Sequence, residues 1–214
     1  MTGDEDGGSD EKARLRETFD AIASSFDETR NQPWDDVAEF VDGREGGVAL
    51  DLGCGNGRHL PLLRERFDTA VGIDFSRSMV ALAEPPVVRG DLSALPFRSS
   101  CADLALCVAV LHHLPTRAGR LSALDEVARV LGDDGDALVS VWAIEHPKFD
   151  GVRDEIRAAG GDHHVPWKRG EEERDRYYHI HDRASFEALV DDSSLDGTVW
   201  DSDGNYYARL RPTG

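Results

Sequence analysis

Residues 48–50 and 52 are apolar, interrupted only by Asp51, and glycines follow at 53, 55 and 57. A short run of this kind predicts a strand buried on both faces. Glycines at alternate positions let the backbone turn sharply and approach a ligand with no Cβ in the way. Leu60, Leu63 and Phe67 then recur at helical spacing, so the turn is expected to open a helix that includes Phe67. Strand, glycine turn and helix form a nucleotide-binding start, with the ligand at the carboxyl end of the strand. The alternation continues with a strand at 70–74 and a short helix that Ser76 can cap. After Pro85-Pro86 come a short strand at Val87-Val88 running into Gly90-Asp91, and an apolar strand at 102–111. Leu121, Leu124, Val127, Ala128 and Leu131 mark a helix stopped by Gly132, and a fifth strand follows at 136–142.

The ends of the chain complete the frame. Residues 1–9 are rich in Gly, Asp and Glu and are expected to be a disordered acidic tail. Leu15, Phe19, Ile22 and Phe26 share one face of a helix beginning at Asp10. Pro33 suits the first turn of a second helix carrying Trp34, Val37, Ala38 and Val41. Residues 144–181 show no clear periodicity, and that length suggests a substrate-side insertion or lid. A helix at 184–190 precedes strands at 198–200 and 206–210 around Asp203-Gly204, a hairpin signal. The expected fold is one α/β domain over 10–214, a doubly wound, mostly parallel sheet of seven strands with one antiparallel strand near the end.

Composition narrows the setting. Among 214 residues, 24 Lys and Arg face 42 Asp and Glu, a formal charge of -18 spread along the chain. Such a surface suits a highly saline cytoplasm, where salt screens self-repulsion. It also repels phosphate, so nucleic acid would require local cations, with Arg14, Arg16 and Arg30 or Lys148, Arg153, Arg157, Lys168 and Arg169 as candidate stripes. No long apolar segment or export leader is evident, which predicts a soluble cytoplasmic protein without a membrane partner. Cys54, Cys101 and Cys107 are odd in number and lack metal-site spacing, so neither a disulfide framework nor a bound metal is expected.

The glycines read G-x-G-x-G with a carboxylate two residues ahead, which suits a ligand bearing ammonium and sulfonium groups rather than a pyrophosphate. This resembles motif I of the class I S-adenosylmethionine methyltransferases. Asp74 ends the second strand 23 positions after Asp51, where a carboxylate accepts ribose hydroxyls. The methyltransferase pattern further implies Asp91 against the adenine amino group and Leu92 on the ring, with Phe75 and Val108 lining the same pocket. Asp51, Gly53, Gly55 and Gly57 complete the cofactor set.

Further motifs come in order: Thr29-Arg30-Asn31-Gln32-Pro33-Trp34, Val108 to His113, Val141-Trp142-Ala143-Ile144-Glu145, Val165-Pro166-Trp167, Arg176-Tyr177-Tyr178-His179 and Gly204-Asn205. Together they resemble the tRNA wobble-uridine carboxymethyl methyltransferases over about residues 12–210. The resemblance implies S-adenosylmethionine as cofactor, tRNA as substrate and esterification of a carboxymethyl group on uridine. It also implies a heterodimer with a small zinc-binding activator protein. Relatives can carry a long basic insertion between the last tryptophan and tyrosine motifs, whereas residues 168–175 here are short and hold Glu171, Glu172, Glu173 and Asp175. Arg30, Arg176, Tyr178 and His179 are the candidate catalytic clamp. Trp34 and Trp142 are expected as stacking surfaces, and His112 and His113 lie beside the substrate. A small-molecule methyltransferase with the same core is the alternative at this point.

Overall fold

In the computed structural model, which describes residues 4–169 and 172–213, the apolar runs form the middle of a single sheet. Helices α1 (Asp4–Asp27) and α2 (Asp35–Val41) lead into β1 (Gly46–Leu52), α3 (Leu60–Arg64), β2 (Phe67–Asp74), α4 (Arg77–Leu82) and β3 (Val87–Arg89). Then come β4 (Ala102–Val108), α5 (Arg117–Val130), β5 (Leu131–Trp142) and α6 (Arg153–Ala158). A hairpin of β6 (Asp162–Arg169) and β7 (Glu172–His179) precedes α7 (Arg183–Asp191), β8 (Leu195–Ser202) and β9 (Asn205–Pro212).

The main sheet has seven strands in the order β3-β2-β1-β4-β5-β9-β8. β9 runs antiparallel to both β5 and β8, and the other neighbouring pairs are parallel. The expected doubly wound sheet with one reversed strand is therefore present. β1 lies between β2 and β4, and Asp51 pairs in register with Gly72 and Leu106. Successive side chains of a strand point to opposite faces. Leu50 and Val139 accordingly pack with α5 and α7, while Ala49, Leu104 and Leu138 pack with α2 and α3. Asp103, the one charge in the apolar run of β4, accepts from the backbone N–H groups of Gly47 and Val48 at 2.7 and 2.8 Å. It thereby ties down the start of β1.

Several boundaries differ from the sequence reading. The first helix starts at Asp4, six residues before the expected Asp10, because Gly8 lets it run close against Thr116, where a Cβ would lie 2.8 Å from the methyl group. Residues 1–3 of the expected tail, and Glu171, lie outside the described residues. Phe67 belongs to β2 and pairs with Gly46; α3 is a single short turn that ends at Arg64. β4 stops at Val108 because Ala109 takes a left-handed φ of 56°, which turns the chain into a 3-10 turn at Leu111–His113. Trp34 is the residue that enters α2, in an extended conformation, so Pro33 precedes the helix. β5 begins at Leu131, with a register shift between Ala102 and Leu104 of its partner before the regular pairing at Asp136. Residues 144–181, where the sequence shows no clear periodicity, contain α6 and the β6–β7 hairpin.

Candidate functional site

The carboxyl ends of β1, β2 and β4 open onto one cleft of about 180 Å³, roofed by α1 and flanked by the β6–β7 hairpin. The glycine turn forms its floor. Gly53, Gly55 and Gly57 all have positive φ, at 78°, 55° and 79°. A Cβ on Gly53 would lie 2.5 Å from Val110, and one on Gly57 would lie 2.9 Å from Ala83. Gly53 and Gly55 face the cleft, whereas Gly57 packs on the end of α4 and does not line it.

Asp74 reaches back over the turn. Its Oδ2 accepts from the Gly55 N–H at 2.9 Å and its Oδ1 from the Ser76 N–H at 2.8 Å. Each oxygen retains acceptor capacity, because a carboxylate offers about four lone-pair positions. Ser76 caps α4 as expected, accepting from Met79 N–H at 3.1 Å. It also donates to Asp20 of α1 at 2.6 Å, which fixes the roof to the site. Asn56 provides a second tie, donating to Asp27 and to the Arg30 carbonyl at 2.8 and 3.0 Å.

Asp51 stands behind the turn, 2 % exposed, and its Oδ2 has no hydrogen-bond partner. Burial pushes its carboxyl up to about 7, with Arg58 opposing and Asp74 reinforcing the rise. Burial likewise raises Asp74 to about 6. Asp91 is held below its ordinary value: burial opposes ionisation, but Lys12 and Ser93 outweigh it. Asp91 ion-pairs with Lys12 and accepts from the N–H and hydroxyl of Ser93 at 2.9 and 2.7 Å. It lies two residues beyond β3, and Leu92, Phe75 and Val108 join it in the cleft wall.

Cations line the cleft as well. Arg30, Arg58, Lys148 and Arg176 all line the cleft, and among the described residues none of the four forms an ion pair. Aromatic rings support them instead. The Arg58 guanidinium lies 4.9 Å from the Trp34 ring centroid and Lys148 Nζ lies 6.0 Å from that of Trp142. Arg176 lies 4.9 Å from the Trp167 ring and 5.3 Å from that of Tyr178. Burial lowers the pKa of Arg176, and its Nε is buried without a partner.

His112 and His113 line the cleft too. Burial depresses both, His113 to about 3, so both are neutral near pH 7. His112 Nδ1 accepts from the Trp142 N–H at 3.1 Å, and His113 Nδ1 donates to the Tyr177 carbonyl at 2.9 Å.

A Methyltransferase domain model matches residues 50–139, from β1 into β5. The tRNA (carboxymethyluridine(34)-5-O)-methyltransferase of Schizosaccharomyces pombe is 34% identical over 160 residues, 73% of this chain and 68% of that protein. The chain belongs to this methyltransferase family. ALKBH8 of Mus musculus, which carries the same enzyme name, is 34% identical over 139 residues, 63% of this chain and 21% of that protein. The chain spans about a fifth to a third of the length of such longer curated relatives. Solved structures share the fold at lower identity. The DhpI-SAM-HEP complex matches with a TM-score of 0.71 and 20% identity, covering 93% of this chain and 98% of that one. A methyltransferase in complex with the Trm112 methyltransferase activator of Haloferax volcanii matches with a TM-score of 0.66 and 17% identity, covering 92% and 98%.

The fold is thus that of the class I S-adenosylmethionine-dependent methyltransferases, and most of the expected site residues of this methyltransferase meet in its cleft. Three do not line it: Asp51 and Gly57 act from behind the turn, and His179 faces away. Alternation along β7 explains the last case, since Arg176 and Tyr178 share one face while Tyr177 and His179 share the other. His179 instead lies 2.8 Å from Asp162. Trp142 lines the cleft, but the rings of His146 and Tyr178 stack on it at 5.3 and 4.7 Å, each inclined by 17°. Protein rings therefore occupy the surface expected to receive a base. The proposed stripe at 148–169 is mostly neutralised, because Arg153, Arg157, Lys168 and Arg169 each pair with an acid. Arg58 and Asn56 were absent from the expected site. Their only sequence signal is their place inside and directly after the glycine turn.

Proposed function

We propose that this chain binds S-adenosylmethionine on the carboxylate side of the cleft and methylates the carboxymethyl group of a tRNA wobble uridine to its methyl ester. The observation that carries the reading is the mix of charge in one cleft. Asp74 and Asp91 line it together with four cations that form no ion pair among the described residues, in a chain with a net charge of -18.

The residues present fit the cofactor. Asp51 keeps an unpartnered buried oxygen, Asp74 keeps free acceptor positions, and glycine at 53 and 55 leaves the turn open. Bound there, S-adenosylmethionine would supply a methyl group on a positively charged sulfur, an activated donor. A carboxylate acceptor is ionised near neutral pH, so no general base is required. This agrees with a cleft whose paired histidines, His112 and His113, are packed, neutral and hydrogen-bonded to backbone. What remains is alignment, which can contribute about 7–11 kcal/mol. Arg176 and Arg30 would hold the carboxylate, Lys148 would add charge at the rim, and α1 would exclude water. Trp34, half-buried beside Arg58, is the tryptophan left to meet a base.

We also propose the small zinc-binding activator as partner, docking on the edge strand β3. The support is that, of the two exposed large hydrophobics among the described residues, Val88 lies on β3 and Leu82 ends α4, the helix that leads into it. The likeness to a methyltransferase solved with an activator points the same way. We place the protein in the cytoplasm on the same reading. Among the described residues no helix is long and apolar enough to cross a membrane.

The test is direct. Purified protein, with and without activator, is incubated with labelled S-adenosylmethionine and tRNA carrying carboxymethyluridine, and nucleosides are read by mass spectrometry. The expected product is the methyl ester. Unchanged carboxymethyluridine in both preparations would remove the substrate assignment.

A further inference from the structure

Trp167 lies outside the cleft, and yet two of the three guanidinium groups that line it rest on its ring. Arg30 Cζ is 5.1 Å from its centroid and Arg176 Cζ is 4.9 Å. The two cations come from different elements, Arg30 from the segment after α1 and Arg176 from β7, and the charge of Arg30 makes that of Arg176 less favourable. Two like charges brought together usually recruit a carboxylate, and this chain has 42 acids from which to supply one. None pairs with either arginine among the described residues.

The choice of partner has a chemical consequence. A carboxylate would neutralise the charge and take up the N–H donors of the fork. An aromatic face attracts the cation through its quadrupole while leaving in-plane donors free. Trp167 is itself immobilised. Its Nε1 donates to Ser25 Oγ at 2.9 Å, and that hydroxyl donates to the Ile22 carbonyl at 2.8 Å. Phe26 stacks on the ring at 5.8 Å, and on β6 Trp167 is paired with Arg174 of β7. The indole thus joins the roof helix to the hairpin at the point where both deliver an arginine.

We propose that Trp167 is a positioning residue that holds Arg30, which spends one N–H on Thr29 Oγ1 at 2.9 Å, and Arg176 as a pair of guanidinium groups free of carboxylate partners, presented to an anionic group of the substrate. The proposal rests on the substrate reading above for the identity of that group, but not for the geometry of the pair.

The experiment has two arms. In the first, nitrogen-15 relaxation at the arginine Nε positions is measured in wild type, Trp167→Leu and Trp167→Phe without substrate. Trp167→Leu should make Arg30 and Arg176 mobile while backbone amide signals elsewhere persist, and Trp167→Phe should restore most of the order. In the second, Trp167→Leu should raise KM for carboxymethyluridine tRNA about tenfold, with the S-adenosylmethionine Kd within about twofold of wild type. The KM change should shrink when Arg30→Gln is already present, since the two share one interaction. Equally rigid arginines in Trp167→Leu would overturn the proposal, as would parallel loss of cofactor and substrate binding in both variants. A wild type that ignores this tRNA defeats the substrate reading alone, and the relaxation arm then decides the role of Trp167.

Discussion

Asp51 and Asp74 lie at the ends of adjacent strands, where burial raises their carboxyls to about 7 and about 6. Only the ionised forms attract an ammonium and a sulfonium, so cofactor affinity should fall as pH drops through this window. Calorimetry should show S-adenosylmethionine binding weakening at least about tenfold between pH 7.5 and 5.5, with protons released on binding near pH 6.5. Asp51→Asn should abolish the upper part of that dependence. Binding without proton release in buffers of different ionisation enthalpy would contradict it. Asp74→Ala is the less discriminating variant. It also strips acceptors from the Gly55 and Ser76 N–H groups, so lost affinity would mix ligand contact with collapse of the turn. Both acids were legible in the sequence because each terminates an apolar run. Arg58 was not, since nothing along the chain tells an arginine without an ion pair from one that pairs with a distant acid. His179 was misjudged because its motif was taken whole, although strand parity separates it from Arg176 and Tyr178.

The elements divide in the same way. β1, β2, β4 and the core of β5 were readable because strands buried on both faces give unbroken apolar runs. The β6–β7 hairpin was not, because its outer register sets charge against charge, with Lys168 opposite Glu173 and Arg169 opposite Glu172. A strand with two polar faces carries no hydrophobic period. β3 was foreseen as a short edge, and it pairs only with β2 among the described strands, with Val88 36% and Leu82 41% exposed beside it. Its outward backbone groups are free for a partner strand. Val88→Glu should therefore abolish co-purification with the activator while leaving S-adenosylmethionine affinity unchanged, because residue 88 lies outside the cleft. If the variant still binds activator with wild-type affinity, the partner docks elsewhere. If the unpartnered wild type is monodisperse and fully active, the heterodimer is unnecessary.

At the scale of the whole molecule, protonation of two opposed sets of buried groups controls stability. Burial lowers His59 and His113 to about 3, His181 to about 2, and His112 well below its ordinary value. In the unfolded chain these imidazoles protonate near pH 6.5. Their contribution is therefore complete above about pH 6.5 and is lost as pH falls toward the folded values. Asp51 and Asp74 act in the opposite sense. Their folded values lie above the unfolded one, so their contribution is present at low pH and is lost as pH rises toward 6 and 7. Between about pH 4 and 6.5 the unfolded chain takes up about four protons on these histidines, while the native state holds about two on these carboxyls. The net uptake on unfolding, about two protons, makes stability rise with pH by about 3 kcal/mol per unit in that window. Urea unfolding at pH 5 and 6.5 should show this rise, which shrinks as pH approaches 6.5 and levels off above about pH 7. His181→Gln should flatten it by about one proton, because the His181 Nε2 has no partner and the residue lies outside the cleft. Added salt should raise stability at pH 7 by screening the net charge of -18, yet leave the slope in place, since ions do not reach buried imidazoles. A midpoint that is the same at both pH values would show that these histidines are protonated in the folded protein, contrary to their packing.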